Sequence, residues 1–518
     1  MKTSRRTFLL GALAVAAAPL GCARTGNHLL ADPFTLGVAS GDPAPDGVVL
    51  WTRLAPNPLA DDGLGGMPSR PVNVEWEIAA DNRFQRIERR GISTAVAESA
   101  HSLHVELTGL RPGRDYFYRF RAAGYQSPIG RTHTAPEPTA LRPALTICFA
   151  SCSQYEHGWF TAYRSLAEDW PDLVLHLGNY QYEYPAGQHV APGGNVRDHV
   201  GPLTATLASY RQRYAQYKTD PDLQAAHAAA PWLVVFDDHE LADHWAAETP
   251  AKPQPGFLDQ RAWALRAYYE NMPLRRWAVP DGIHMQLYRR VPWGALATFH
   301  MLDTRQHRGV QPCGDRLGSD CRSRTDPIRS ITGPDQERWL IDGFRRSSSR
   351  WDLLGQQVFF SRLDLKCGPG SGFNPDAWDG YVGNRDRVIA GLKDSPVRNA
   401  VVLTGNVQLH CAAEVREAFN DAKSPTVATE LVTTSITCGG DGCETRPEAA
   451  DLLRENPLIR FFNDRRGYVR CAITPKQLRA DFRVLPYVSR PDAPVQTAAS
   501  FVVVDREPAL QRVVSRPS

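Results

Sequence analysis

A succession of short apolar runs, each closed by a compact polar cluster, constrains the fold of this chain more than any other feature of its sequence. Leu145–Ala150 runs into Ser151-Cys152-Ser153-Gln154. Leu173–Leu177 runs into Gly178-Asn179-Tyr180-Gln181-Tyr182-Glu183-Tyr184, and the run 232–236 into Asp237-Asp238-His239-Glu240. Further along, 399–404 runs into Gly405-Asn406-Val407-Gln408-Leu409-His410, and 295–302 is another apolar run. Strands this predominantly apolar are buried on both faces. Helix-like stretches lie between them, around 160–170, at 257–270 and at 333–345. The expected architecture is therefore layered α/β, sheets flanked by helices. Ligands in such folds sit beyond the carboxyl ends of strands, which places the chemistry in the polar clusters.

Before residue 143 the rhythm is that of a small all-β unit, expected over 34–136. Val72, Val74, Trp76 and Ile78 alternate with polar neighbours, as do Leu103, Val105 and Leu107, the pattern of half-buried strands. Leu110-Arg111-Pro112-Gly113 then turns into Tyr116-Phe117-Tyr118-Arg119-Phe120, an order that resembles a fibronectin type III-like sandwich. The second domain is expected over 143–506.

The first residues carry an address. Ser4-Arg5-Arg6-Thr7-Phe8-Leu9 precedes the apolar run 10–20, which is too short for a permanent membrane span. With no polar face to make it amphipathic, it is expected to be a twin-arginine export signal over 1–23, removed after Ala23. The alternative, a lipoprotein Cys22, has Pro19 against it at the outer position of the lipobox. The mature chain is thus expected in the periplasm or outside the cell, without a transmembrane segment, and as a monomer. Ten cysteines in an exported chain permit some disulfides. Cys313 with Cys321 is the first expected pair, and Cys438 with Cys443, around Gly439-Gly440-Asp441-Gly442, the second. A net charge of +3 carries no nucleic-acid signature.

Four donor-rich strand ends in series suit a centre that must be held from several directions. On these and other segments the chain resembles the PhoD-like (alkaline phosphatase D) metallophosphoesterases. The segments are Phe34-Thr35-Leu36-Gly37-Val38-Ala39-Ser40-Gly41-Asp42-Pro43, Ala150-Ser151-Cys152, Asp237-Asp238-His239-Glu240, Leu302-Asp303-Thr304-Arg305-Gln306, Trp378-Asp379-Gly380-Tyr381 and the run 461–468. The resemblance implies a metallophosphoesterase-like β-sandwich flanked by helices, and a site holding iron(III) and calcium. Its metal ligands would fall on Cys152, Asn179, Tyr182, Asp238, Asn406, Gln408 and His410, with thiolate and phenolate on the iron. His239 would act on the transferring group or the leaving oxygen. Arg305 and Arg211 are candidate phosphate clamps, with surface or interdomain salt bridges the bland reading of both. The substrate would be a small phosphoester or a phospholipid-type molecule. Ser151 lacks a nucleophile-elbow pattern, so covalent serine chemistry is not expected.

The chain departs from the family pattern at marked places. Relatives carry aspartate where Asn179 and Asn406 stand, histidine where Gln408 stands, and commonly asparagines where Asp243 and His244 stand. An amide offers one neutral oxygen and an NH2 that cannot ligate, so the charge that bridges two cations is lost. Three readings fit this donor set: a phosphoesterase with retuned metal content, a remodelled relative with different metal-dependent chemistry, and a degenerate relative that binds an anion or partner. The stretch 185–202, rich in Gly, Pro and His, is a candidate cover for the site.

Overall fold

A computed structural model describes residue 29 and residues 31–316, 321–421 and 423–513. The export segment 1–23, with Cys22, lies outside the described residues. Two large sheets form the framework of the described residues. The first has ten strands, in the order Glu507–Arg512, Gln496–Val504, Gln477–Val484, Gly467–Ile473, Leu145–Ala150, Leu173–Leu177, Pro231–Val235, Val38–Ala44, Gly47–Arg53 and Ser102–Glu106. The second has seven: Arg289–Trp293, Ala297–Met301, Trp351–Gln356, Ala400–Thr404, Thr426–Val432, His410–Arg416 and Ile459–Asn463.

The apolar runs occupy the centres of both sheets, where strands pair in parallel. Leu145–Ala150, Leu173–Leu177 and Pro231–Val235 are parallel neighbours in the first. Ala297–Met301, Trp351–Gln356, Ala400–Thr404 and Thr426–Val432 are parallel neighbours in the second. Leu145, Leu175 and Leu233 of one sheet share a continuous core with Phe299, Leu353 and Leu403 of the other. A bridge between Ser151 and Ser435 joins the sheets at their carboxyl edges. A separate core on the outer face of the second sheet packs Leu340 and Phe344 of helix Gly333–Arg345, and Val388 of helix Val382–Lys393, against Leu354 and Val402. Helix Leu207–Lys218 starts at a Thr206–Ser209 capping box, and helix Pro221–Ala229 at Asp220, whose carboxylate accepts two backbone N–H bonds. Such caps satisfy amides that a helix leaves open at its start. The layered α/β expectation is met.

The N-terminal all-β unit is present, with one layer borrowed. Val72, Ile78 and Tyr118 of the small sheet Ile87–Ala95, Val72–Ala79, Asp115–Ala122 and Tyr125–Gln126 pack on Val48, Leu50 and Val105. Those last three residues belong to strands that extend the ten-stranded sheet. Val38–Ala44 pairs in parallel with Pro231–Val235, Ser40 opposite Pro231, so what reads as an independent sandwich is closed by the edge of the larger sheet. An edge strand of that kind would otherwise leave a row of open backbone groups.

Cys313 and Cys321 are bonded, their Cα atoms 5.8 Å apart. The second expected disulfide is not formed, for Cys438 and Cys443 are both free. Cys438 is buried among Cys152, Tyr182 and Tyr184, while the Cys443 thiol faces Asp464 at 3.7 Å.

Lys218, at the end of its helix, is wholly buried, its ammonium 4.3 Å from the Trp51 ring centroid and 3.4 Å from His227 Nε2. Burial, with repulsion from Arg53, pulls its pKa from 10.5 down to about 7. A base whose folded pKa is depressed contributes stability that is present above the unfolded pKa and lost as pH falls through the folded value. Lys218→Met should therefore stabilise the protein at neutral pH by about 1–3 kcal/mol. The gain should fade as pH rises towards 10.5, which urea unfolding at both pH values checks.

Candidate active site

Three adjacent strand ends of the first sheet build one wall of a cleft. Cys152 N–H donates to Gly178 O at 3.2 Å and Ser153 N–H to Asn179 O at 2.9 Å, locking the first loop to the second. The Glu240 carboxylate locks the second to the third, accepting N–H bonds from Asn179 at 2.9 Å, Tyr180 at 2.6 Å and Asp237 at 2.8 Å. Burial pushes Glu240 up to about 8, opposed by these three donors, which favour the carboxylate. Gly178, at φ 98°, has no room for a side chain: a Cβ there would lie 2.4 Å from Asp237 Cβ.

The residues just beyond the strands hold backbones that side chains rarely adopt. Cys152 (φ 61°), Asn179 (54°), Asn406 (56°), Gln408 (60°) and His244 (50°) are all left-handed. Strain of this kind gathers at functional sites.

Asp237 and Arg305 form the hub of the cleft floor. Arg305 is fully buried and donates to Asp237 at 2.6 Å and bidentately to Asp376 at 2.8 and 2.7 Å, with Asp238 at 3.6 Å. Arg308 is buried beside it on Asp376. The other Asp237 oxygen accepts from two amides, Asn179 Nδ2 at 3.3 Å and Asn406 Nδ2 at 2.5 Å. Burial would raise the Asp238 carboxyl, but Arg305, His239 and His244 hold it well below the usual carboxylate range.

The sequence-derived site residues separate into two groups. Cys152, Tyr182, Asp238 and His239 come together. The Tyr182 ring stacks on the His239 imidazole at 4.2 Å, and Tyr182 packs against Cys152 and Cys438. Tyr182 Oη is buried without a hydrogen bond of normal geometry, beside the Cys438 thiol, and Asp238 Oδ1 is buried with no partner. Burial pushes both the Cys152 thiol and the Tyr182 phenol well up, so each stays neutral unless a cation takes its proton's place. His239 Nδ1 lies 2.9 Å from Glu183 Oε2. Burial opposes protonation of that imidazole, but Glu183 and Asp238 outweigh it and raise its pKa well above the usual value.

The remaining residues are placed differently from expectation. Asn179 Oδ1 accepts from His239 N–H at 3.1 Å, which fixes the amide so that its NH2 faces Cys152 Sγ at 3.7 Å. It therefore presents a donor where a bridging ligand would need an oxygen. Asn406 spends its NH2 on Asp237, and Gln408 stands beside it on the rim of a cavity. His410 does not face the cleft, because Nε2 donates to Arg483 O at 3.1 Å and Nδ1 accepts from Thr434 N–H at 3.2 Å. With both ring nitrogens engaged by backbone it has no lone pair for a metal. Arg305 has no guanidinium edge left for a phosphate. Arg211 is likewise held bidentately by Glu270 at 2.6 Å. The stretch 185–202 is partly tied down, with His199 buried and Val196 N–H bonded to Glu156 O at 2.9 Å.

Cys438, Glu183, Asp376 and Asp315 also belong to the site, and sequence reading missed their roles. Cys438 follows strand Thr426–Val432 and precedes two glycines, the same strand-end placement as Cys152, which was the available signal.

The donor set suits a cation: the Cys152 thiol packs on the Tyr182 phenol, the Asp238 carboxylate lies near that phenol, and the phenol and carboxylate carry buried oxygens without partners. It does not fit a bridge through residue 179, since that amide turns its NH2 inward. Two face-to-face sheets flanked by helices, with a thiol, a phenol, a carboxylate and an imidazole beyond the strand ends of the first, define a layered α/β class whose site lies at the carboxyl edge of a sheet. Within that class, residues 147–482 match the model of the PhoD-like phosphatase and residues 21–136 that of its N-terminal domain. The chain belongs to the PhoD-like phosphatase family and is a phosphoric ester hydrolase. It is 45% identical to alkaline phosphatase D of Bacillus subtilis (strain 168), over 99% of this chain and 89% of that protein. A solved structure of PhoD superposes with TM-score 0.92 at 46% identity, covering 95% of this chain and 94% of the other. A yellow lupin purple acid phosphatase, PPD1, shares the fold at TM-score 0.53 and 12% identity, over 90% of this chain and 73% of its own.

Proposed function

We propose that this chain is an exported, metal-dependent hydrolase of phosphomonoesters and phosphodiesters, whose principal cation is held by Cys152, Tyr182 and Asp238. The observation that carries this reading is the pair of buried oxygens without partners, Tyr182 Oη and Asp238 Oδ1, in a cleft that also holds a buried thiol. Leaving such groups unpaired is costly, by about 1–3 kcal/mol each, unless something outside the polypeptide completes them. The trivalent iron of the family resemblance suits thiolate and phenolate together. When bound, such a cation acts as a Lewis acid towards a phosphoryl oxygen and makes water a better nucleophile.

The side chains of this protein supply the rest. His239, charged by Glu183 and fixed on the face of Tyr182, is placed to stabilise the transferring group or to give its Nε2 proton to the leaving oxygen. Arg305 acts indirectly, holding Asp237 and Asp238 in place while staying out of reach of substrate. Asn179 Nδ2 steadies the sulfur of Cys152.

A cavity of about 430 Å³ opens beside Asn406 and Gln408, walled by Phe359, Leu409, Leu452 and Phe462. The chamber meets the cleft floor through Asn406, whose amide bonds Asp237, and its partly apolar lining suits the greasy group of an aryl diester or a phospholipid-type molecule. Among the described residues no helix is long and apolar enough to cross a membrane. Export by the twin-arginine route is part of the same reading, since it carries a protein across already folded around its cation.

The test is hydrolysis of an alkyl monoester, an aryl diester and a phosphatidylcholine dispersion, with and without a strong chelator. The expected result is turnover of at least one ester, greatest for a substrate with an apolar group, and its loss on chelation. Turnover indifferent to chelation would overturn the metal-dependent reading.

A further inference from the structure

A second set of donors comes together next to the thiol-lined part of the cleft. Asp238, Asp243 and His244 each present one ligand atom, and these atoms all lie within 4.8 Å of one another. The Asp238 side chain is 2% exposed. Its Oδ2 accepts from His244 N–H at 3.2 Å, while Oδ1 remains buried and without a partner. His244 Nδ1 is bonded to Asp315 Oδ2 at 2.5 Å. That contact fixes the ring, and it is the carboxylate–imidazole arrangement that orients histidine ligands on metals. The free edge of the ring faces Asp243, with Nε2 3.8 Å from Oδ1. The gap is too long for a hydrogen bond. It is shorter than two successive metal–ligand bonds, about 4.2 Å for zinc, so one ion can touch both atoms.

The surroundings hold these groups where they are. Asp243 N–H donates to Glu183 Oε1 at 3.1 Å, and Gln311 Nε2 bonds His244 O at 2.7 Å. Asp243 and His244 stay 58% and 38% exposed, so an ion arriving from solvent keeps positions for water. Two carboxylates and an imidazole are a donor set for a divalent first-row cation such as zinc or manganese.

We propose that Asp238, Asp243 and His244 form a site for a divalent transition cation, with Asp315 as the positioning residue of the imidazole. The site shares Asp238 with the proposed Cys152 centre and would set a second ion beside it. It rests on that reading only for its part in hydrolysis, because Asp243 and His244 are donors that the Cys152 centre does not use.

Cobalt(II) distinguishes the two. The chelator-stripped full chain is titrated with cobalt(II), following the bound metal by equilibrium dialysis and the absorption spectrum. Sulfur-to-cobalt charge transfer reports Cys152, and binding without it reports the imidazole–carboxylate set. Asp243→Asn combined with His244→Asn should weaken one bound cobalt by at least about 100-fold while leaving the charge-transfer band. Asp315→Asn should weaken the same ion by about 10-fold with unchanged stoichiometry. Cys152→Ser should remove the band and keep this ion. If the Asp243/His244 variant binds as much cobalt as tightly as the parent, the proposal is overturned, whatever the fate of the band. If charge transfer never appears but an ion is lost in that variant, this site stands and the thiolate centre falls.

Discussion

Cys152→Ser should lower turnover of any phosphoester substrate by about 1,000-fold, the equivalent of roughly 4 kcal/mol of transition-state stabilisation, and should lower the content of the principal metal with it. Sulfur is central here because of its surroundings. The thiol is completely buried, at a left-handed residue one position beyond Ser151 at the end of a core strand, with the Asn179 NH2 and Tyr182 beside it. Burial holds its proton on, so the group is an inert apolar filler in the absence of a cation and a charged ligand in its presence. Serine is nearly the same size, but its hydroxyl is far less willing to give up a proton. The metal-free variant should therefore unfold at the same urea concentration as the metal-free parent, whereas the two metal-loaded proteins should differ. Steady-state kinetics with elemental analysis reads the first effect, and urea unfolding with and without chelator the second. A Cys152→Ser protein with full activity and full metal content would make residue 152 a packing position.

Arg305→Met should destabilise the fold by about 3–5 kcal/mol, the range for breaking a buried ion pair from one side. The arginine is fully buried and answers Asp237, Asp238 and Asp376 at once. Removing it leaves three carboxylates in a dry interior with only Arg308, two amides and the nearby histidines to offset them. Adding Asp376→Asn to Arg305→Met should recover part of the loss, since the second change removes a charge that the first left unpaired. The two effects should therefore fall short of additive, which is how coupled partners behave. Urea unfolding of the single and double variants measures the coupling. A loss below about 1 kcal/mol in Arg305→Met, the usual size for an exposed pair, would contradict the hub.

The double-sheet architecture was readable because it is written locally. Runs such as Pro231–Val235 are apolar at every position and end abruptly, and the structure buries all five residues. Cys152, Tyr182, Asp238 and His239 are legible as candidates because each follows such a run within a few residues, and the structure gathers them on one side of the cleft. What escaped reading depends on partners far away in the chain. Arg305 has the position of a substrate clamp until Asp237 and Asp376, each about seventy residues distant in sequence, occupy its guanidinium. His410 lies in a donor-rich strand end, yet Arg483 and Thr434 take both its ring nitrogens. Cys438 and Cys443 are close in sequence around a glycine turn, and only the cleft shows that Cys438 turns inward to Tyr182. The N-terminal unit reads as self-contained because its alternation is local, whereas its parallel pairing with Pro231–Val235 is not.

Elemental analysis of protein collected after native export, never exposed to chelator or added metal, bears most directly on the central claim that Cys152, Tyr182 and Asp238 grip a cation. The account predicts a stoichiometric transition metal in the parent, iron by family resemblance, that is absent from Cys152→Ser and Asp238→Asn purified in the same way. A parent protein free of metal that still hydrolyses phosphoesters, or variants carrying the same metal as the parent, would contradict it.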